Sequence, residues 1–444
     1  MRRSSIIGHV IELLDLIRGT RAPADQIVRD FFRTRHYLGA KDRRSISSMV
    51  YGVLRRSLLL EAWSRRLFER LNSPRGAVPS IALVIVDAVK TGGESPDSLL
   101  LDAGALWRLH VPAVAPEVFL AALAAEAHPA DSEPDPVRKS SLIHAFPQFL
   151  VREWMSAFGD RQAESLCAAL NEEAPVVLRV NTLRATAARC REALAAEGVA
   201  AVPTRWSPDG LILSKRVNVR TLRSYLDGMF ELQDEGSQLI GYLAGPSPGN
   251  RVVDACAGGG GKTLHCAALM KGEGEILAID NDPHRLGQLQ ERLDRAGVSI
   301  VRTAIAGRDD AVIAGWHQQA DIVLVDAPCT GCGTLRRNPG LKLRLDEAEV
   351  TTMARTQRSI LAEYAPLVRP GGRLVYSTCS LHRAENEDVV SAFLRSAPGF
   401  SQEDAVALLQ RNGISLDGVT PPAITLLPHL HGTDGFFLAS LVRG

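Results

Sequence analysis

The chain has 444 residues, 45% of them hydrophobic and 23% charged, and 51 Lys/Arg nearly balance 50 Asp/Glu to leave a formal net charge of +1. That length exceeds what one hydrophobic core serves, so two or three domains are expected, and the composition excludes a disordered or histone-like chain. No overall charge draws the chain to nucleic acid, so any such attraction has to be local.

From the start to about residue 128 apolar residues recur at helical spacing, as with Ile46, Met49, Val50, Val53 and Leu54 on one face. Residues 1–70 carry 15 Lys/Arg against 7 Asp/Glu, with pairs at Arg43-Arg44, Arg55-Arg56 and Arg65-Arg66. Such a surplus can hold a phosphate backbone, although a solvated helix surface is the plainer reading of a charge run. The best apolar run, 81–86, ends at Asp87 and falls short of the roughly 20 residues a membrane-spanning helix needs. Glu12 and Asp15 interrupt the first apolar stretch, so Met1-Arg2-Arg3 does not open a signal peptide, and seven cysteines, an odd number, fit a reducing cytoplasm better than a disulfide framework. PADSEPDP (129–136) reads as a linker. Beyond it, 140–235 mixes a helical stretch at 149–158 with strand-like runs at 176–180 and 210–213, a small α+β module.

From residue 251 short apolar strands alternate with amphipathic stretches: RVVDA (251–255), EILAID (275–280), DIVLVDA (321–327) and RLVYSTC (373–379). This pattern predicts an α/β domain over 236–444, a Rossmann-like doubly wound sheet whose ligands lie beyond the carboxyl ends of the strands. The first strand runs into Cys256, Ala257, Gly258, Gly259, Gly260, Gly261, Lys262 and Thr263, then an apolar helix at 264–270. Consecutive glycines let a backbone turn sharply and approach a ligand at a helix N-terminus. A phosphate-binding P-loop fails on spacing, since its first glycine would fall on Cys256, and the dinucleotide fingerprint is only partly met. Asp280 closes the second strand about 20 residues after the loop, where a carboxylate takes both ribose hydroxyls of a nucleoside. The alternative for Asp280 is an N-cap for the segment beginning at Pro283.

Cys329, in Asp326-Ala327-Pro328-Cys329, and Cys379, in Ser377-Thr378-Cys379-Ser380, both fall just past strand ends on this rim, whereas Cys167, Cys190 and Cys266 read as small buried hydrophobes. Cys329 and Cys332 form a CxxC, but no second pair or closely spaced histidines complete a zinc site, and no metal is expected. Two thiols beside an adenosine-binding loop suit addition to a pyrimidine. Carbon 5 of cytosine is too weak a nucleophile to attack a methylsulfonium until a thiolate adds to carbon 6. A second cysteine can then assist release, and Asp326 can hydrogen-bond the base edge and stabilise the protonated ring.

DACAGGGGKT (254–263), DAPCTGCGTLRRNP (326–339), YSTCSLHRAENEDVV (376–390) and DGFFLASLVR (434–443) resemble the RsmB/NSUN family of RNA 5-methylcytosine methyltransferases. QDEGSQL (233–239) and LRVNTLR (178–184) are similar to the family's middle region, and KDRRSISSMVYGVLRR (41–56) to the NusB-like RNA-binding domain of its bacterial members. The resemblance implies a NusB-like all-α domain at 1–130, the α+β module at 140–235 and an S-adenosyl-L-methionine-dependent methyltransferase domain at 236–444. It implies cofactor contacts from residues 256–262, Asp280 and Asp326, with Cys379 as nucleophile and Cys329 promoting product release. RNA, specifically 16S rRNA, is the implied partner; a monomer is expected only because the sequence carries no contrary signal. Two departures stand out: Gly259 replaces a proline of the family loop, and the family's acid about nine residues after the glycine at Gly297 falls on Ala306, with Asp309 nearby.

A target base inside structured RNA must be extruded, so flanking backbone needs a grip. Arg336 and Arg337, together with Arg43 and Arg44, are the candidates, against the alternative of a surface pair capping a helix. Two rival functions are a DNA cytosine methyltransferase with Cys329 as nucleophile, and an RNA-binding factor with an inactive core. The TCS motif with the helical start opposes the first; intact Cys329, Cys379, Asp280 and Asp326 oppose the second.

Overall fold

A computed structural model describes residues 1–73 and 76–444. By internal contacts these form two compact units: Met1–Glu172 with Leu335–Glu347, and Glu173–Thr334 with Ala348–Gly444.

The first unit is helical. It contains α1 (Arg3–Arg18), α2 (Ala24–Arg33), the long α3 (Ala40–Arg70), α4 (Ser80–Lys90), α5 (Pro96–His110), α6 (Pro116–Ala125), α7 (Pro136–His144), α8 (Gln148–Phe158) and α9 (Asp160–Asn171). Proline at the first helical position, with Ser95 and Asp135 accepting backbone N–H bonds at the N-caps, starts α5 and α7. Val10, Leu14, Val50, Leu60, Trp107 and Phe119 share one core, in which the Trp107 indole N–H donates to the Val114 carbonyl at 2.7 Å. Leu335–Glu347, far downstream in sequence, belongs to this unit. Its Lys342 is 2% exposed; Nζ donates to the Arg55 carbonyl at 2.8 Å and to Asn171 Oδ1 at 2.6 Å, and lies 3.5 Å from the centre of the Phe146 ring. Burial pushes this amine well below the usual lysine range, and its hydrogens have acceptors and an aromatic face beside them.

The second unit holds two sheets. The smaller, in order β2-β3-β1-β4, is antiparallel and contains β1 (Val177–Val180), β2 (Ala201–Pro203), β3 (Gly210–Leu213) and β4 (Phe230–Leu232), with α10 (Ala187–Ala196) and α11 (Arg223–Leu226) between them. After α12 (Glu235–Ala244) come β5 (Arg251–Asp254), α13 (Gly261–Leu269), β6 (Glu275–Asp280), α14 (Pro283–Ala296), β7 (Val301–Ile305), α15 (Asp310–Ala314), β8 (Ala320–Asp326), α16 (Glu347–Tyr364) and β9 (Val368–Thr378). The chain ends with α17 (Glu387–Ser396), β10 (Phe400–Gln402), α18 (Ala405–Arg411), β11 (Ile424–Leu426), α19 (Pro428–His431) and β12 (Phe436–Arg443).

The larger sheet runs β10-β12-β9-β8-β5-β6-β7, with β11 beside β12. Strands β5 to β9 pair in parallel and β12 joins β9 antiparallel. Apolar clusters cover both faces, one around Val253, Leu277, Val323 and Tyr376 and the other around Val252, Ile276, Leu324 and Val375. Successive residues of one strand thus serve opposite faces, which is why these strands are apolar throughout. The chain leaves β5 for β6 and β7 on one side and returns to β8 and β9 on the other, so β5 and β8 flank the switch point where such sheets bind ligands. No helix among the described residues is long and apolar enough to cross a membrane.

Candidate active site

The carboxyl ends of β5, β6, β8 and β9 open onto one cleft of about 730 Å³. Its walls include Cys256, Ala257, Gly258, Gly259, Gly261, Lys262, Asp280, Asp326, Cys329 and Cys379, bringing together all but one of the cofactor-binding and catalytic residues expected from the sequence. Gly260 is the exception: it is buried beneath the loop, where an added Cβ would lie 2.1 Å from Leu289 Cδ1. Sequence reasoning did not single out Arg285, Ile360, Glu363 and Tyr364, which also line the cleft. They lie on helices α14 and α16, whose spacing marks them only as helical positions.

The loop between β5 and α13 owes its shape to left-handed backbone at Gly258 (φ 53°) and Gly260 (φ 81°), a region that favours glycine. Asp280 fixes it from the next strand: Oδ2 accepts from Gly258 N at 2.8 Å and Oδ1 from Asp282 N at 2.9 Å. The α14 N-cap is Asp282, accepting from His284 N, so the capping alternative for Asp280 is set aside. Two arginines hold the loop's carbonyls from behind. Arg179 of β1 donates to the Gly261 carbonyl at 2.6 Å, and Arg292 of α14 donates to the Gly259 carbonyl while pairing with Glu231 at 2.9 Å. Beneath them Thr263 donates to Asp254 at 2.6 Å, and burial pushes the Asp254 carboxyl up to about 6. Ala306 lines the cleft, while Asp309 accepts from Ile305 N at 2.8 Å within its own turn.

On the far side of β5, Asp326 at the end of β8 accepts from Lys262 Nζ at 2.6 Å and from Ser377 Oγ at 2.8 Å. Asp326 and Ser377 are register partners across β8 and β9, so the sheet itself positions that bond. Burial works to lower Lys262, but attraction and hydrogen bonding to Asp326 outweigh it and hold the ammonium above its usual range.

Cys329 Sγ and Cys379 Sγ lie 3.3 Å apart, and both cysteines are free and partly exposed. The hydrogen bond with Cys379, then burial, push the Cys329 thiol well up. Either sulfur can donate the hydrogen of this contact. Cys329 therefore partners Cys379 rather than Cys332 of the CxxC. Cys332 is buried, its sulfur accepts from Leu381 N at 3.1 Å, and burial pushes it up to about 12. No group of three or more metal-ligating side chains occurs among the described residues.

The arginines proposed for RNA divide by environment. Arg336 is only 6% exposed, and Arg43 Nε donates to the Leu38 carbonyl at 2.8 Å, a use of its guanidinium within the helical unit. Arg44 is exposed and Arg337 partly so. The pairing of basic residues in sequence does not report which of them a helix turns toward its own loops.

Residues 242–442 match the profile of the family "16S rRNA methyltransferase RsmB/F", and residues 146–220 match that of the "Methyltr_RsmF/B-like, ferredoxin-like domain". The probable ribosomal RNA small subunit methyltransferase B of Bacillus subtilis (strain 168) is 30% identical over 448 residues, covering 99% of each chain. The ribosomal RNA small subunit methyltransferase B of Pseudomonas putida is 34% identical over 315 residues, 71% of this chain and 69% of the relative. Among solved structures, PH0851 matches 99% of both chains at 27% identity with a TM-score of 0.78. A methyltransferase homologue from Pyrococcus horikoshii matches 70% of this chain and 100% of its own at 26% identity with a TM-score of 0.59. Similarity that runs the full length of a relative, over a sheet whose switch point carries the glycine loop and paired thiols, has one conclusion: the chain belongs to the 16S rRNA methyltransferase RsmB/F family.

Proposed function

We propose that the chain transfers a methyl group from S-adenosyl-L-methionine to carbon 5 of a cytosine in 16S rRNA, with Cys379 forming a transient bond to carbon 6 of the base. The observation that carries this reading is the pair of sulfurs 3.3 Å apart, on the same cleft as Asp326 and the glycine loop.

The cleft suits the donor. A side chain on the loop at Gly258 or Gly260 would meet a left-handed backbone, and Asp280 keeps a lone pair on each oxygen for ribose hydroxyls after serving two backbone N–H groups. Residues 256–262, Asp280 and Asp326 would hold it. When bound, the sulfonium supplies an electrophilic methyl group.

The chain's own groups do the rest. Cys379, the cysteine of the TCS motif after β9, adds as the thiolate to carbon 6, making carbon 5 enamine-like. Asp326, immobilised by Lys262 and Ser377, takes the hydrogen-bonding edge of the base and stabilises the protonated ring. After the methyl group has joined carbon 5, solvent water takes the carbon 5 proton, the electrons of that C–H bond re-form the double bond between carbons 5 and 6, and the S–C6 bond breaks with its pair on the Cys379 sulfur. The Cys329 S–H stabilises the departing Cys379 thiolate.

The test uses 16S rRNA transcribed without modification, read by bisulfite sequencing, and the same transcript with 5-fluorocytidine, whose fluorine blocks release and leaves a covalent adduct on a denaturing gel. Wild type is expected to methylate the first and trap the second, and Cys379→Ala to do neither. An adduct persisting in Cys379→Ala but lost in Cys329→Ala would overturn the assignment and make Cys329 the nucleophile.

A further inference from the structure

Glu385 closes a short 3₁₀ turn, Arg383–Glu385, and is 0% exposed. Its Oε2 accepts from Thr330 Oγ1 at 2.5 Å and from Ser380 Oγ; its Oε1 accepts from Thr330 N at 2.9 Å and from Gln357 Nε2 at 3.0 Å. Thr330 immediately follows Cys329 and Ser380 immediately follows Cys379. One carboxylate thus gathers the neighbours of both thiols. Tyr376 OH donates to the Glu385 carbonyl at 2.5 Å, tying the turn to β9, and Gln357 Nε2 also donates to the Pro328 carbonyl at 2.9 Å, just before Cys329. All four approaches to the carboxylate bring donors, an arrangement that suits the ionised acid, which only accepts. The two loops meet again where Gly333 N donates to the Cys379 carbonyl at 2.9 Å.

We propose that Glu385 is a positioning residue for the two-thiol centre: it locks the Cys329 loop against the Cys379 loop and so sets the separation of the two sulfurs. Its catalytic consequence rests on the reaction proposed above; its geometric consequence does not. The amide of Glu385→Gln can keep the two N–H donors on its carbonyl and turn its NH₂ to the two hydroxyls, but these neutral bonds are weaker than the charge-assisted ones they replace, so the lock is loosened.

The experiment reads the geometry without turnover. Diamide added to the full-length protein takes one hydrogen from each thiol, is reduced to the hydrazine, and leaves a Cys329–Cys379 disulfide counted by peptide mass spectrometry. Wild type is expected to cross-link rapidly, and Glu385→Gln about tenfold more slowly, with methylation of the 16S rRNA transcript lowered on the order of 100-fold, since a misplacement of about 1 Å costs that much. Affinity for S-adenosyl-L-methionine, measured on the same samples, is expected to stay unchanged and marks the variant as folded. Thr330→Val keeps the backbone donor and loses the hydroxyl, so an intermediate cross-linking rate is expected. Should Glu385→Gln fail to fold, the Thr330→Val/Ser380→Ala double variant takes its place. Cross-linking at the wild-type rate in a folded variant overturns the proposal. Slowed cross-linking together with a wild type that does not methylate would leave the positioning role standing and remove the reaction.

Discussion

Replacing Gly260 with alanine tests the cofactor loop most directly. Gly260 has φ 81°, a conformation that costs a residue with a Cβ about 1–2 kcal/mol. The new Cβ would also stand 2.1 Å from Leu289 Cδ1 and 3.1 Å from Cγ. Leu289 has nowhere to go: it is fully buried among Leu264, Ala278, Leu286 and Leu293. Overpacking of this kind costs about 1–3 kcal/mol. The expected loss of stability is therefore about 2–5 kcal/mol, seen as a lower midpoint in urea denaturation. Where the fold survives, the loop shifts and S-adenosyl-L-methionine binds more weakly by titration calorimetry. Gly259→Ala is the internal comparison. Gly259 lies outside the left-handed region, and its Cβ would meet only Arg292 Nη1 at 3.3 Å, the far end of a long side chain that can give by a few tenths of an ångström, so its cost should stay below about 1 kcal/mol. Equal stability and cofactor affinity for the two variants would refute the reasoning, because it derives their difference from backbone and packing alone.

Three other outcomes follow from the same site. Arg179→Met removes the donor to the Gly261 carbonyl, and an expected weakening of S-adenosyl-L-methionine binding of about tenfold, with rate at saturating donor little changed, would be read as a split between KM and kcat. Lys262→Met leaves Asp326 with Ser377 as its remaining partner here; the pair is only 13% and 28% exposed, so removing one member should slow methylation on the order of 30-fold in single-turnover assays. Asp254 has a folded value raised from 3.8 to about 6, so its proton stabilises the fold. That contribution is complete below pH 3.8 and gone above about pH 6, a difference of about 3 kcal/mol. Asp254→Asn should remove this part of the decline in urea stability between pH 4 and 7, and an unchanged pH profile would count against a buried, protonated Asp254.

Much of the α/β unit was legible because its signals are local. RVVDA, EILAID and DIVLVDA became β5, β6 and β8 nearly residue for residue, since strands buried on both faces must be apolar at every position. The pattern of RLVYSTC starts at residue 373, whereas β9 begins at Val368, because its first residues run through Pro370, Gly371 and Gly372 with a register shift opposite Ala320 and Ile322. Proline and glycine mark a turn in sequence, and only the pairing with β8 makes the segment strand. The antiparallel edge of β10, β11 and β12 had no such local mark beyond a motif.

The sequence alone settled which residues stand at strand ends: a glycine run after one strand, an acid after the next, and cysteines after two more each occupy a few consecutive positions, and alternation carries them to a common rim. Which of those residues touch was decided by tertiary structure. Cys379 lies 50 positions from Cys329 and Glu385 lies 55 from Thr330, separations over which no periodicity reports a contact. The same holds for charge. Lys342 and Arg336 are of residue types that belong on a surface, yet both are buried. For Lys342, acceptors at Arg55 and Asn171 satisfy the amine, and burial of so polar a group depends on partners that only the folded chain assembles.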